Sequence, residues 1–114
     1  MKKWFAEEFA FTITVTGFLQ SEQTENYCRN GEEIGDRYCC TYGCSVNTAG
    51  YGICSKVMLL LYPLMDAVRS GGDLRNLGGD GKYSKTVVCP DGCVIFRLTA
   101  EPLGNPNFYQ TIKS

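Results

Sequence analysis

Alternation between apolar and polar residues marks the first regular element of the chain. The apolar positions are Phe9, Phe11, Ile13 and Val15, each followed by alanine or threonine, and Gly17 comes after them. A period of two with aromatic and β-branched side chains is typical of a strand that buries one face. The pattern therefore predicts a strand at the start of the chain.

A second and weaker alternation covers residues 34–42, where Tyr38, Cys40 and Tyr42 share one side. It predicts a second strand. The polar stretch 20–30 before it has little periodicity, and the stretch 43–52 after it is rich in small residues. Both stretches are typical of surface loops.

Helical spacing of apolar residues appears between Ser55 and Ser70. Gly71 and Gly72 supply the stop, and Arg69 in the last turn suits the negative end of a helix dipole. Pro63 lies inside this segment and should kink it. We predict one bent helix rather than two short ones, because the stripe continues in phase across the proline. The stripe consists of Val57, Leu60, Leu61, Leu64, Met65 and Val68.

The run Leu59-Leu60-Leu61 makes this helix apolar on more than one side. Apolar surface on a second side needs a covering layer. We therefore expect part of the helix to meet a second sheet layer or a protein partner, for instance a second copy in a homodimer.

Residues 85–89 and 93–98 are rich in valine and isoleucine and flank Pro90-Asp91-Gly92. This arrangement predicts a β-hairpin closed by a type I turn. The glycine-rich residues 74–83 before it predict a loop. After Glu101, the stretch 102–106 contains two prolines and should break regular structure.

Together these elements predict an α+β fold. A small antiparallel sheet, built from the first strand, the Ile34 strand and the C-terminal hairpin, should pack on one main kinked helix. With 114 residues the chain has room for one domain, 1–114. We expect an ordered core over about 8–101 and a C-terminal tail over 102–114.

Charge and hydropathy limit which classes of partner the chain can bind and indicate the compartment in which it works. The 11 basic and 12 acidic side chains leave a net charge of −1, which gives no electrostatic footprint for nucleic acid or an anionic membrane. The longest apolar run, 57–62, is shorter than the roughly 17–25 residues that cross a bilayer. Glu7 and Glu8 interrupt the signal-like start of the chain. We expect a cytosolic protein with reduced thiols.

Seven cysteines and no histidine set the candidate chemistry. A Cys–His dyad is excluded, and no local arrangement offers another base, so an enzyme is the less favoured interpretation. Metal ligands would be cysteines alone or cysteines with carboxylates, a donor set that favours an iron–sulfur cluster or zinc. The cysteine spacings match no standard ferredoxin or zinc-ribbon motif.

Cys89 and Cys93 flank the predicted turn. In such a hairpin they should face each other with Cβ atoms roughly 5 Å apart. Two thiolates so placed can hold one metal ion or close into a disulfide. The other interpretation is that both are small apolar strand residues, because free cysteine is among the most buried residue types.

Cys54 lies at the predicted start of the helix, where backbone N–H groups and the helix dipole stabilise an anion. This position favours a functional thiolate over a buried small hydrophobe. Cys39 and Cys40 are neighbours on a strand and should point to opposite faces. Cys44 is the better site candidate of that cluster, although packing is favoured for it. Cys28 lies in a polar loop.

Six short motifs are spread along the chain: Gly35-Asp36, Gly52-Ile53-Cys54-Ser55, Tyr62-Pro63, Gly71-Gly72-Asp73, Cys89-Pro90-Asp91-Gly92 and Val94-Ile95-Phe96-Arg97-Leu98. Together they resemble a family of small bacterial proteins, many from anaerobes, that has no established activity. The resemblance extends from Phe9 to Glu101. It implies a shared fold and three shared positions, Cys28, Cys54 and Cys89. Cys93 falls where the family has a longer insertion, and Cys39, Cys40 and Cys44 are additional.

The leading hypothesis from the sequence is an accessory or electron-transfer protein. It would hold an iron–sulfur cluster or zinc through Cys28, Cys54 and Cys89, with Cys93 and Cys44 as possible additional ligands. The alternatives are a thiol redox protein that uses Cys89 and Cys93, and an interaction module whose cysteines only pack the core.

Overall fold

A computed structural model describes residues 8–19, 30–41, 45–90 and 93–103 of the chain. Four strands and two helices form in that part. They are β1 (Phe9–Phe18), β2 (Arg37–Cys40), α1 (Ser55–Arg69), a 3-10 helix (Leu74–Leu77), β3 (Ser84–Val88) and β4 (Val94–Pro102).

The four strands form one antiparallel sheet in the order β2-β1-β4-β3. The central pair is long, because β4 continues to Pro102, which pairs with Phe9 at the start of β1. A register shift between Val15 and Gly17 marks a bulge in β1 opposite the beginning of β4. The predicted α+β fold, with a C-terminal hairpin packed on the helix, is confirmed.

Strand β1 behaves as its alternation predicts. Phe11, Ile13 and Val15 are buried, while the residues between them are half-buried. They join one hydrophobic core with the inward residues of the other strands and the helix. The fully buried members of that core include Phe96, Leu98, Val94, Val57, Leu61, Met65, Val68 and Leu74.

Helix α1 runs through Pro63 without interruption, as predicted. Its buried stripe differs from the prediction at two positions: Met58 is buried, whereas Leu60 is 40% exposed. The reason is geometric, since successive residues turn by about 100°. Measured from the centre of the buried stripe, Leu60 then lies about 95° away and Met58 only about 65°. Leu59 is 74% exposed, so the predicted second apolar side exists.

Strand β2 is shorter than the predicted strand over 34–42. Ile34 is exposed in a turn, and Gly35 follows with a φ of 97°, a conformation that suits glycine. The backbone N–H of Gly35 donates to the Val15 carbonyl, and the Asp36 carboxylate accepts from the Glu33 N–H. This turn delays the start of β2 until Arg37. Tyr42 lies outside the described residues.

The predicted loop 74–83 contains the 3-10 helix. Leu74 is fully buried, which anchors the segment to the core. The Asp73 carboxylate accepts the backbone N–H of Arg75 at 2.9 Å and caps the helix start. Pattern reasoning missed this element because Leu74 and Leu77, two apolar residues in a glycine-rich stretch, form too short a run to show a period. In the described part of the chain, no helix is long and apolar enough to cross a membrane.

Candidate functional site: a cysteine pair at the hairpin

The hairpin brings two thiols into contact. Cys89 directly follows β3, Cys93 directly precedes β4, and their Sγ atoms are 3.8 Å apart. That distance is a van der Waals contact and not a bond, since a disulfide measures about 2.05 Å. The hairpin therefore presents a pair of neighbouring thiols.

The backbone of three strands holds the pair in place. The Cys89 N–H donates to the Val94 carbonyl at 2.9 Å, which continues the β3–β4 ladder. The Cys93 carbonyl accepts the Leu19 N–H at 2.8 Å, which ties the other cysteine to the end of β1. A backbone hydrogen bond to a different residue thus holds each cysteine in place, Val94 for Cys89 and Leu19 for Cys93.

The register corrects one part of the sequence prediction. Val88 pairs with Ile95, and the next position along the ladder joins Cys89 to Val94. Val94, and not Cys93, is therefore opposite Cys89, and the two thiols meet diagonally at the end of the hairpin. The physical reason is that β4 starts one residue later than predicted, so Cys93 belongs to the connection. Asp91 and Gly92, which carry the predicted turn type, lie outside the described residues.

The two thiols differ in their surroundings. Cys89 is 8% exposed and belongs to the hydrophobic core, while Cys93 is half-buried and packs against that core. The Val94 N–H points at the Cys89 sulfur, with N and Sγ 3.4 Å apart. An N–H donor favours negative charge on the acceptor sulfur, so a buried Cys89 thiolate has local compensation.

The thiol of Cys54 is placed differently. Cys54 is the N-cap residue of α1, as predicted, and its side chain makes no capping hydrogen bond. It is half-buried and packs against the core. Cys54 therefore has both features considered above: it lies at the helix start, as a functional thiolate would, and it packs against the core, as a small apolar residue would.

Cys39 and Cys40 point to opposite faces of β2, as predicted. Cys39 is exposed, and its sulfur lies 3.8 Å from the Thr12 hydroxyl on β1. Cys40 packs against the core, where the fully buried Ser45 hydroxyl donates to its sulfur at 3.1 Å. The strand separates these two thiols although they are adjacent in sequence.

The structure describes two ligands of the predicted three-thiolate centre, Cys54 and Cys89. The third ligand, Cys28, and the possible additional ligand Cys44 lie outside the described residues. Among the described cysteines and carboxylates, no group of three or more is arranged to hold a metal ion. The centre built on Cys28, Cys54 and Cys89 stays a prediction.

Sequence reasoning missed a buried polar pair beside β2. Glu32 is 4% exposed, and its carboxylate accepts the Tyr38 hydroxyl at 2.6 Å and the Asn30 amide at 2.6 Å. The only sequence signal was the position of Tyr38 on the inward side of β2, because Glu32 lies in a polar segment without periodicity. The pair fixes the turn that enters β2.

Comparisons of the chain with protein-family models, with curated proteins and with solved structures gave no match. The family resemblance described above therefore stays a prediction. Function is therefore inferred from the geometry of the cysteines.

Proposed function

We propose that this chain is a thiol–disulfide redox protein whose working group is the Cys89–Cys93 pair. The observation that carries the proposal is the 3.8 Å contact between the two sulfur atoms. Side-chain rotation together with a small shift of the connection can bring such a pair to bonding distance. The anchors on β1 and β4 keep the two cysteines close in the reduced form.

The reaction is thiol–disulfide exchange with a partner disulfide, RSSR. The thiolate of Cys93 attacks one sulfur of RSSR, forming a mixed disulfide and releasing RS⁻. The Cys89 thiolate then attacks the Cys93 sulfur, closing the internal disulfide and releasing the second RS⁻. Two thiols are thus oxidised, one external disulfide is reduced to two thiols, and the two protons go to solvent or to the products.

The order of the two attacks follows from exposure. Cys93 is half-buried, whereas Cys89 is 8% exposed, so an external disulfide reaches Cys93 more easily. Cys89 then acts as the resolving thiol, with its thiolate stabilised by the Val94 N–H. This division of roles is typical of dithiol redox proteins. It agrees with the cytosolic compartment proposed from the sequence, where such disulfides are transient.

The experiment is equilibration of the reduced chain with mixtures of reduced and oxidised glutathione, followed by acid quenching and intact mass spectrometry. The expected product has lost two hydrogens and recovers them in dithiothreitol. Cys89→Ala should instead accumulate a persistent mixed disulfide at Cys93. Cys39→Ser, which removes an exposed thiol elsewhere, should behave like the original chain. Loss of two hydrogens to the same extent in Cys93→Ser would refute the assignment.

The three-thiolate centre remains a second proposal from the sequence. Its test is metal analysis and absorption spectroscopy of protein purified without oxygen, compared with Cys54→Ser. The two proposals separate cleanly, because Cys54 takes no part in the hairpin pair and Cys93 is not among the three core ligands.

A further inference from the structure

We infer that the reduced Cys89–Cys93 pair is also a two-thiolate site for a soft divalent cation of the zinc type. The inference goes beyond the redox proposal, because it concerns what the pair binds and not how it is oxidised. It rests on the separation of the two sulfur atoms and on the donor beside one of them.

The separation fits tetrahedral thiolate ligation. With Zn–S bonds of about 2.3 Å at tetrahedral angles, two sulfurs bound to one zinc ion lie about 3.8 Å apart. The Sγ atoms of Cys89 and Cys93 are 3.8 Å apart before any metal is added. Binding therefore needs no change in the sulfur–sulfur distance, so little reorganisation opposes it.

The backbone supplies the supporting hydrogen bond that thiolate ligands need. The Val94 N–H is directed at the Cys89 sulfur, with N and Sγ 3.4 Å apart. Such outer-shell donors hold a ligand in orientation and offset its negative charge. Because the donor is a main-chain group of β4, its position is fixed by the sheet.

The described residues supply two ligands to this site. Within the part of the chain that the structure describes, no group of three cysteines or carboxylates is arranged around a common point. A closed structural zinc site has four protein ligands, so the pair by itself accounts for two of the four positions around the metal.

Metal binding and oxidation exclude each other at this pair. Zinc first dissociates as Zn²⁺ with its charge unchanged. RSSR then oxidises the two released thiolates to the internal disulfide and is itself reduced to two RS⁻. Disulfide formation thus prevents the cation from binding again. Bound zinc in turn protects both thiols from exchange.

The first test uses Cd²⁺ alone as a probe. The reduced chain is titrated without oxygen while thiolate-to-cadmium charge-transfer absorption is recorded in the ultraviolet, and Zn²⁺ is then added to displace the cadmium. We expect one Cd²⁺ per chain at this site, lost in Cys93→Ser and in Cys89→Ala and kept in Cys39→Ser. Circular dichroism of each variant checks that it folds. Absorption that is absent from the original chain, or unchanged in both folded hairpin variants, would overturn the inference.

The second test measures protection from oxidation. At a free zinc concentration 100 times the dissociation constant, about 1% of the pairs are free, so exchange with oxidised glutathione should slow about 100-fold. An unchanged rate would overturn the inference while leaving the redox proposal intact. Failure of the pair to form a disulfide in the absence of metal would refute the redox proposal alone.

Discussion

Two pairs of cysteines in this chain show that separation along the sequence and distance in the structure can differ in opposite directions. Cys39 and Cys40 are adjacent on β2, yet one is exposed beside Thr12 and the other packs against the core. Cys89 and Cys93 are four positions apart, yet their sulfur atoms lie 3.8 Å from each other. The pleat of a strand separates neighbours, whereas the end of a hairpin brings its two arms together. Spacing in sequence is therefore a poor guide to which thiols react together.

The two pairs also depend on different parts of the structure. The hairpin pair is anchored by the long central strands β1 and β4, whose inward-facing residues are buried in the core. The β2 pair lies on a four-residue edge strand that is stabilised by local hydrogen bonds. Substitutions in the two regions should therefore affect thiol chemistry and stability separately.

The largest effect is expected from Phe96→Ala on β4. Phe96 is fully buried and pairs with Val87 and Val15. Removing the ring should lower the free energy of unfolding by about 3–5 kcal/mol. It should also expose Cys89 to alkylating reagents, while the already exposed Cys39 changes little. Urea denaturation and residue-resolved alkylation measure both effects.

Ile95→Ala is the matched control, because Ile95 immediately precedes Phe96 on β4 and is only half-buried. Its destabilisation should be clearly smaller. Equal losses of stability in the two variants would contradict the assignment of the core face.

Tyr38→Phe should affect the β2 region alone. The change removes the hydroxyl that donates to the buried Glu32 carboxylate at 2.6 Å. A buried acceptor that loses its donor costs about 1–3 kcal/mol in unfolding free energy. Oxidation of the Cys89–Cys93 pair should proceed at the original rate. Tyr51→Phe at a 73% exposed position is the control and should change stability by less than about 0.5 kcal/mol.

Ser45→Ala tests the environment of Cys40. The fully buried Ser45 hydroxyl donates to the Cys40 sulfur at 3.1 Å. Its loss should cost about 0.5–1.5 kcal/mol, measured by urea denaturation. Ser55→Ala removes an exposed hydroxyl at the start of α1 and serves as the comparison. If Ser45→Ala leaves the free energy of unfolding unchanged, this contact contributes nothing to the stability of the fold.

The smallest expected effect is on the stability of the fold in acid, and it involves neither cysteine pair. Hydrogen bonds from the Arg75 side chain, and then from its backbone, lower the pKa of Asp73 from 3.8 to about 2. Because the folded pKa lies below the unfolded one, this stabilisation is present above pH 3.8 and is lost as the pH falls toward about 2. In Asp73→Asn the free energy of unfolding should therefore fall less steeply with pH over this range, and the rate of thiol exchange should be unchanged. Acid curves that coincide for the two chains would contradict this role.

Local pattern was sufficient for β1, α1 and the hairpin, because each repeats its apolar residues at the period of its own structure. It was insufficient for β2, whose start is set by the turn at Gly35 and by the buried Glu32–Tyr38 hydrogen bond. It also missed Leu74, which is fully buried although it lies in a glycine-rich stretch without apolar periodicity.

The cysteine pair shows the same limit. The sequence predicted that Cys89 and Cys93 would meet, but not the diagonal register or the Val94 N–H directed at sulfur. Those features depend on where β4 begins, and one residue of shift changes which side chains are opposite each other.

The most direct test of the account is to locate the first disulfide that forms. The reduced chain is oxidised mildly with a small excess of oxidised glutathione, remaining thiols are alkylated, and the proteolytic fragments are identified by mass spectrometry. The account predicts that the bridge joining Cys89 to Cys93 appears before any other. A first bridge at Cys39, Cys40 or Cys54, with Cys89 and Cys93 both alkylated, would contradict it.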